Sequence, residues 1–164
     1  MSGGGKGERT MVGATGSSSE GEFITVTIGG QLVGIPVLSA RDVLSPQTIV
    51  RIPLAPPQIA GSLNLRGRIV TAIDVRICLG LPAVEDPSAS MGVVTEHRGE
   101  LYSLLVDAVG EVLRLSAETF ERNPMTLKSA WRELADGIHR LEGQLLVVLS
   151  VERLLRSLTP ASAA

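Results

Sequence analysis

The chain has 164 residues, of which 44% are hydrophobic, 20% charged and only 2% aromatic, and its net charge is −2. This length suits one compact domain or two small lobes that share a core, and the core has to be filled by Val, Ile and Leu, which favour strands. Acidic and basic residues are interspersed without a basic stripe. This pattern argues against nucleic-acid binding, which gains most of its affinity from basic groups on phosphates.

Residues 1–21 come first in chain order and are rich in Gly and Ser. We expect a disordered tail there, because so few apolar side chains cannot offset the entropy of ordering. The tail lacks the apolar stretch of a signal peptide, and the longest apolar run of the chain, residues 145–149, is far shorter than the about 20 residues that cross a bilayer. These features predict a cytoplasmic protein without direct membrane insertion.

Four pairs of apolar strands then follow, each pair separated by a two-residue turn that contains glycine. The turns are Gly29-Gly30, Arg66-Gly67, Arg98-Gly99 and Glu142-Gly143. Glycine supplies the positive φ angle that a two-residue hairpin needs. Four such units in one short chain predict an all-β barrel or sandwich.

Residues 69–79 resemble residues 145–155, which indicates an internal repeat. Each segment reads as a buried strand, then Asp74 or Ser150 as a helix N-cap, then a short amphipathic helix. The repeat predicts two lobes of similar build, and chance similarity of two apolar runs is the alternative. The expected divisions are lobe 1 at about 22–85, lobe 2 at about 86–150, a linker near 82–90, a closing helix at about 150–158 and a flexible C-terminus at 159–164.

Two more short helices are expected from apolar residues at helical spacing. One covers residues 36–43, and the other covers residues 126–135, where Asp136-Gly137 would end it. The second helix carries Trp131, the only tryptophan, which either covers an apolar surface of its own domain or anchors a partner.

The titratable residues show no recognisable catalytic or metal-binding pattern. His97 falls in a turn and His139 in a strand, and neither has a second histidine at metal-ligand spacing. A combination of Ser103, Asp107 and His97 lacks the strained turn that presents a nucleophile. Cys78 is the only cysteine, which excludes an internal disulfide, and its apolar neighbours predict a buried, inert thiol. The sequence therefore predicts a protein that is not an enzyme and has no cofactor or metal.

Residues 57–76 read Pro-Gln-Ile-Ala-Gly-Ser-Leu-Asn-Leu-Arg-Gly-Arg-Ile-Val-Thr-Ala-Ile-Asp-Val-Arg and closely resemble the signature of the CheW family of chemotaxis coupling proteins. Residues 106–113 are similar to the family's Val-Asp-x-Val stretch. Residues 137–155 are similar to its closing strand pair and terminal helix. The three matches stand in the family's order, and the resemblance covers about residues 22–156.

The resemblance implies two SH3-like, five-stranded β-barrel lobes that share an apolar core, with a few short helices. It also implies a non-catalytic adaptor that couples chemoreceptors (methyl-accepting chemotaxis proteins) to the histidine kinase CheA in signalling arrays at the inner face of the membrane. The adaptor would bind the regulatory domain of the kinase and the cytoplasmic tip of the receptor, which would lie in a groove between the barrels. A coupling protein of a non-flagellar pathway is an alternative within this class, and a small β-barrel enzyme or ligand carrier is an alternative outside it.

The resemblance also assigns residues to the receptor-binding groove, here called the groove residues. They are Ala40, Asp42, Val43, Arg66, Met91 and Val112. Arg66 stands at the arginine of the family's Asn-Leu-Arg-Gly motif, whereas an arginine in a hairpin turn is by itself usually only solvated. Asp42 replaces a family glutamate with a shorter side chain, and the apolar members would be plain core residues if judged by type alone.

Gly61, Asn64 and Gly67 are expected to shape the strand and the turn rather than to contact a partner. Val33 and Pro36 depart from the family, which often has an aromatic residue and an aspartate there, so the receptor-side helix would begin differently. No residue is assigned to the kinase-binding surface.

Overall fold

The computed structural model describes residues 19–122 and 127–158, and strands dominate them. The expected C-terminal segment 159–164 and residues 1–18 of the expected tail lie outside the described residues. The described strands are β1 (Gly21–Ile28), β2 (Gln31–Pro36), β3 (Asp42–Leu44), β4 (Ile59–Leu65), β5 (Arg68–Asp74), β6 (Met91–His97), β7 (Glu100–Val106), β8 (Ala108–Leu115), β9 (Phe120–Glu121), β10 (Ala135–Leu141) and β11 (Gln144–Leu149). The described helices are α1 (Val75–Cys78), α2 (Ser129–Leu134) and α3 (Val151–Ser157).

The strands form a six-stranded sheet of order β9-β10-β11-β2-β1-β8 and a five-stranded sheet of order β3-β6-β7-β5-β4. Each sheet contains one parallel pair, β11 with β2 and β5 with β7, and its other neighbours are antiparallel. The strands β10-β11-β2-β1-β8 therefore correspond in order and direction to β4-β5-β7-β6-β3. The predicted all-β fold with two similar lobes is confirmed, and one sheet gains a sixth strand, the two-residue β9.

The sheets divide the chain differently from the expected lobes at about 22–85 and 86–150. Strands β1 and β2 belong to the same sheet as the C-terminal strands, and the five-stranded sheet takes only the strands between residues 42 and 106. The reason is the parallel pairing of Val33 and Gly34 with Val147 and Val148, which brings the first and the last described strands into one sheet. The segment near residues 82–90 accordingly lies between two elements of one lobe, α1 and β6.

All four predicted glycine turns join antiparallel strands. At Arg66-Gly67 the φ angles are 53° and 87°, and the turns at Gly29-Gly30 and Arg98-Gly99 also have two positive angles. A type I′ turn requires this pair of angles, and its twist matches that of the flanking strands. The four predicted hairpins are confirmed.

Helix caps explain the similarity between residues 69–79 and 145–155. The Asp74 side chain accepts a hydrogen bond from the Ile77 N–H at the start of α1, and the Ser150 side chain accepts one from the Arg153 N–H at the start of α3. Each cap satisfies a first-turn N–H that would otherwise lack a partner, which is typically worth about 1 kcal/mol. The repeat therefore reflects two corresponding strand–helix units, not chance.

The helix predicted at residues 36–43 is wrong. A single 3₁₀ turn covers Val37–Ser39, and the chain then extends into β3. Val43 pairs with Val93 of β6 across an antiparallel ladder. The backbone hydrogen bonds of the sheet edge outweigh the helical spacing of a few apolar residues.

Of the helix predicted at residues 126–135, residue 126 lies outside the described residues, and the rest forms in part, as α2. It does not extend to Asp136-Gly137, because β10 already begins at Ala135. Trp131 is partly buried and packs against the core. This position fits a side chain that covers an apolar surface of its own domain.

One apolar cluster joins the two sheets and is called the shared core here. It contains Ile35 of β2, Ile73 of β5, Leu104 of β7 and Leu154 of α3, each 0% exposed. Separate clusters lie within the five-stranded and the six-stranded sheet. The predicted shared apolar core is confirmed.

Cys78 ends α1 and packs partly buried against the shared core. Burial, and secondarily the charge of Asp74, raise the pKa of its thiol from 9.0 to about 11. Because the folded-state pKa is the higher one, the thiol's contribution to stability is present below pH 9 and is lost as the pH rises toward 11.

We therefore expect Cys78 to react slowly with iodoacetamide in the folded protein at pH 8. In urea the thiolate fraction rises about 100-fold, because two pKa units separate the two states, and alkylation should accelerate accordingly. Mass spectrometry of timed samples measures both rates. Equal rates in buffer and in urea would contradict the buried position of the thiol.

Candidate functional site

Arg66 lies at the tip of the β4–β5 hairpin and points into solvent, with its side chain 79% exposed. The turn that carries it is held by a side chain of its own hairpin, since Asn64 Oδ1 accepts a hydrogen bond of 2.9 Å from the Gly67 N–H. The positive φ angles of Arg66 and Gly67 complete this turn. Asn64 and Gly67 thus fix the direction in which Arg66 leaves the sheet.

Arg66 meets Asp42 at the edge of the five-stranded sheet. Its Nη2 atom lies 3.6 Å from Asp42 Oδ2. In a flat sheet the edge strands β3 and β4 would stand about 19 Å apart. The contact, and the shared burial of Leu44 and Leu63 in one cluster, show that the sheet curls and brings its edges toward each other.

A shallow cavity of about 190 Å³ lies beside this ion pair. It is lined by Arg41, Asp42, Leu65, Arg66, Arg68, Val94, Glu96 and Leu101. Arg41 is paired with Glu96, while Arg68 makes no ion pair within the described part of the chain. Three arginines face two carboxylates here, so the rim has an excess positive charge that suits an acidic group.

Val43 and Val112 are the exposed apolar groove residues. Val43 lies on β3 and is 38% exposed, and Val112 lies on β8 and is 51% exposed. β3 and β8 are edge strands of the two different sheets. The two valines therefore present apolar surface from both lobes.

A β-bulge determines the side of the sheet on which Val112 lies. Val109 is opposite Val26 and Val112 is opposite Ile24, so two residues of β8 face Thr25 alone. The Thr25 hydroxyl donates a hydrogen bond of 2.6 Å to the Glu111 carbonyl and holds the bulge. Directly opposed residues share a face, so Val112 lies on the side of the shared core, as Ile24 and Val26 do; without the extra residue it would lie on the other side.

Ala40 and Met91 are partly buried and pack against the shared core. Ala40 lies in the connection from β2 to β3, and Met91 opens β6. Both residues lie at the border of the shared core, where a partner could still contact their exposed atoms. The structure thus brings Asp42 and Arg66 into contact and packs Ala40 and Met91 against the shared core. Val112 lies opposite Ile24 and is half exposed.

Gly61 is buried in β4, where a neighbouring segment crosses closely. A Cβ atom at this position would lie 2.3 Å from the Val50 carbonyl oxygen. Val50 forms an isolated antiparallel bridge with Ser62. Gly61 shapes the strand by admitting this bridge.

His139 is a structural residue in the interior of the six-stranded sheet's side of the protein. His139 is 0% exposed, and its Nδ1 atom lies 2.8 Å from Thr119 Oγ1, with the Phe23 and Phe120 rings at 5.4 and 5.2 Å. Among residues 19–122 and 127–158, no three His, Cys, Asp or Glu side chains come together as a metal ion would require.

None of the helices in the described ranges is both long and apolar enough to span a membrane.

Sequence reasoning missed an exposed apolar segment between β3 and β4. Leu54 is fully exposed with a φ of 64°, and Val50 is 64% exposed. The prolines at positions 46, 53, 56 and 57 signal an irregular segment. They give no sign that its apolar side chains point outward.

Comparisons with known proteins show which family the chain resembles. The family model of the CheW-like domain matches residues 22–159. The chain is 27% identical over 154 residues to the chemotaxis protein CheW of Helicobacter pylori, covering 91% of this chain and 93% of the relative. It is 28% identical over 151 residues to the chemotaxis protein CheW of Klebsiella aerogenes, covering 92% and 91%.

A solved structure shares the fold. The crystal structure of the scaffolding protein TtCheW from Thermoanaerobacter tengcongensis matches with a TM-score of 0.73 at 24% identity, covering 82% of this chain and 92% of that one. The family model spans most of the chain, including both sheets and the Arg66 turn. The chain therefore belongs to the family of CheW-like domain proteins.

Proposed function

We propose that the protein is a non-catalytic chemotaxis scaffold that couples the cytoplasmic tips of chemoreceptors to the regulatory domain of the histidine kinase CheA. It would work in the cytoplasm, held at the inner face of the membrane through receptor arrays. The names of its relatives, chemotaxis proteins and a scaffolding protein, support this role. The observation that carries the proposal is the exposed Arg66, oriented by its turn and set beside Asp42.

The groove residues have the chemistry of helix-in-groove recognition. In that mode apolar anchors on one face of a helix enter an apolar surface, and polar groups at its edges fix the register. Val43 and Val112 offer apolar surface from the two sheets. Asp42 lies on the opposite face of β3 from Val43, since it pairs with Val94 rather than Val93, and together with Arg66 it would supply the polar edge.

Arg66 is available to a partner at low cost. Its contact with Asp42 is long, at 3.6 Å, and the guanidinium is largely solvated, so the existing pair contributes little stability that binding would have to replace. A guanidinium can donate two parallel hydrogen bonds to a carboxylate. Weak contacts of this kind gain strength when receptor and kinase are engaged together in an array.

We expect Arg66→Ala to weaken receptor-dependent kinase activation while leaving the fold intact. An exposed turn side chain contributes within about 0.5 kcal/mol to stability, whereas an interface arginine at a hot spot is worth about 2 kcal/mol or more. A reconstituted assay with receptor, kinase and adaptor measures activation, and circular dichroism checks the fold.

Arg98→Ala is the matched control. Arg98 occupies the same place in the Arg98-Gly99 turn, with a φ of 54° against 53° for Arg66, so both variants remove an arginine from the same backbone conformation. We expect Arg98→Ala to activate the kinase like the unmodified protein. Full activation by Arg66→Ala would contradict the proposed receptor contact.

A further inference from the structure

Within residues 19–122 and 127–158, the chain passes between the two sheets at two places. The first passage comprises residues 37–41, between β2 and β3, and the second is the single residue Asp107, between β7 and β8. A one-residue passage leaves little freedom between the elements it joins. The contacts of Asp107 therefore bear on how the two sheets are oriented.

Asp107 is bonded to both sides of this junction. Its N–H donates to the Thr27 carbonyl at 2.9 Å, and its Oδ2 atom accepts a hydrogen bond of 2.8 Å from the Gly29 N–H. The same Oδ2 atom lies 2.8 Å from Arg76 Nη1. Thr27 and Gly29 belong to the β1–β2 hairpin of the six-stranded sheet, whereas Arg76 lies on α1, which follows β5 of the five-stranded sheet.

The arginine side of the junction is itself held in place. Arg76 Nε donates a hydrogen bond of 2.8 Å to the Pro82 carbonyl. The Arg76 and Asp107 side chains are only 22% and 32% exposed, so solvent screens this pair less than a surface pair. Gly29 and Leu81 also pack closely at this junction, since a Cβ atom at Gly29 would lie 2.7 Å from Leu81 Cδ1.

We propose that Asp107 is a positioning residue whose carboxylate holds the two sheets at the angle that receptor docking requires. This inference rests on the proposed function. The groove residues are divided between the sheets, with Val112 on β8 and with Val43 and Arg66 on the five-stranded side. One partner contacts both sets only while the angle between the sheets is maintained.

The distance between two spin labels tests the positioning role. In a Cys78→Ala background, the labels are attached to Glu100→Cys and Gln144→Cys, two exposed positions on different sheets. We expect a narrow distance distribution that Asp107→Ala broadens. Asp107→Asn keeps an acceptor for Gly29 but loses the charge opposite Arg76, so we expect it to broaden the distribution less. This variant replaces Asp107→Ala in the experiment if the alanine variant does not fold.

Glu121→Ala is the matched control, since it removes an exposed carboxylate paired with Arg140 inside the six-stranded sheet alone. It should leave the distribution narrow. A distribution that is the same with and without the Asp107 carboxylate would overturn the proposal.

Binding of a receptor-tip fragment provides the second measurement. We expect Asp107→Ala to weaken binding by about three- to tenfold and Glu121→Ala to leave it unchanged. Unchanged binding by a variant with a broadened distribution would overturn the positioning role. If the unmodified chain does not bind the tip at all, the proposed function fails, and the spin-label distances still show whether Asp107 fixes the angle.

Discussion

Leu104→Ala is expected to lower the free energy of unfolding by about 2–5 kcal/mol, the range found when a buried leucine is truncated and a cavity is left. Leu104 is 0% exposed and lies on β7, the middle strand of the five-stranded sheet. It belongs to the shared core, which also contains residues of the six-stranded sheet and of α3. The truncation therefore removes contacts that hold both sheets together.

Urea unfolding followed by circular dichroism measures this loss. Leu38→Ala is the control, because Leu38 is 75% exposed and its truncation should change stability by no more than about 0.5 kcal/mol. A Leu104→Ala variant as stable as Leu38→Ala would show that the two sheets do not depend on this core.

Gly61→Ala is expected to cost about 2–4 kcal/mol, because it adds a steric clash to an unfavourable backbone angle. The φ angle of Gly61 is 154°, and the new Cβ atom would lie 2.3 Å from the Val50 carbonyl oxygen and 2.7 Å from Ile49 Cγ2. The nearest obstacle is backbone, which cannot rotate away. The Val50–Ser62 bridge would have to open.

Gly143→Ala separates the two contributions. Gly143 has a φ of 80°, and no atom lies within 4 Å of the position that a Cβ atom would take, so its substitution costs only the backbone term, about 1–2 kcal/mol. We expect the midpoint of urea unfolding to fall further for Gly61→Ala than for Gly143→Ala. Equal midpoints would mean that the approach of Val50 to β4 is not required.

The local structure could be predicted because its causes are local. A glycine at the second position of each turn, and Asp74 or Ser150 after a buried strand, specify hairpins and helix starts within a few residues. Which strands belong to which sheet could not be predicted in this way. The assignment of strands to sheets depends on the pairing of β2 with β11, and these two strands are more than one hundred residues apart in the sequence.

The part of the candidate site that lies within one sequence motif could be predicted. Arg66, Asn64 and Gly67 lie together in one turn. The contact of Arg66 with Asp42 depends on the curl of the sheet, and the side on which Val112 lies depends on the bulge opposite Thr25. Neither the curl nor the bulge can be predicted from the alternation of apolar residues, because that pattern describes each strand separately and not its contacts with other strands.

The scaffold role requires one chain to bind two partners at once without changing either chemically. Analytical size-exclusion chromatography with light scattering, applied to the full chain mixed with a receptor-tip fragment and a kinase regulatory domain, measures the mass of what forms. We expect a ternary complex heavier than either pair. If the chain binds neither fragment, or if each fragment displaces the other, the protein does not couple receptor to kinase.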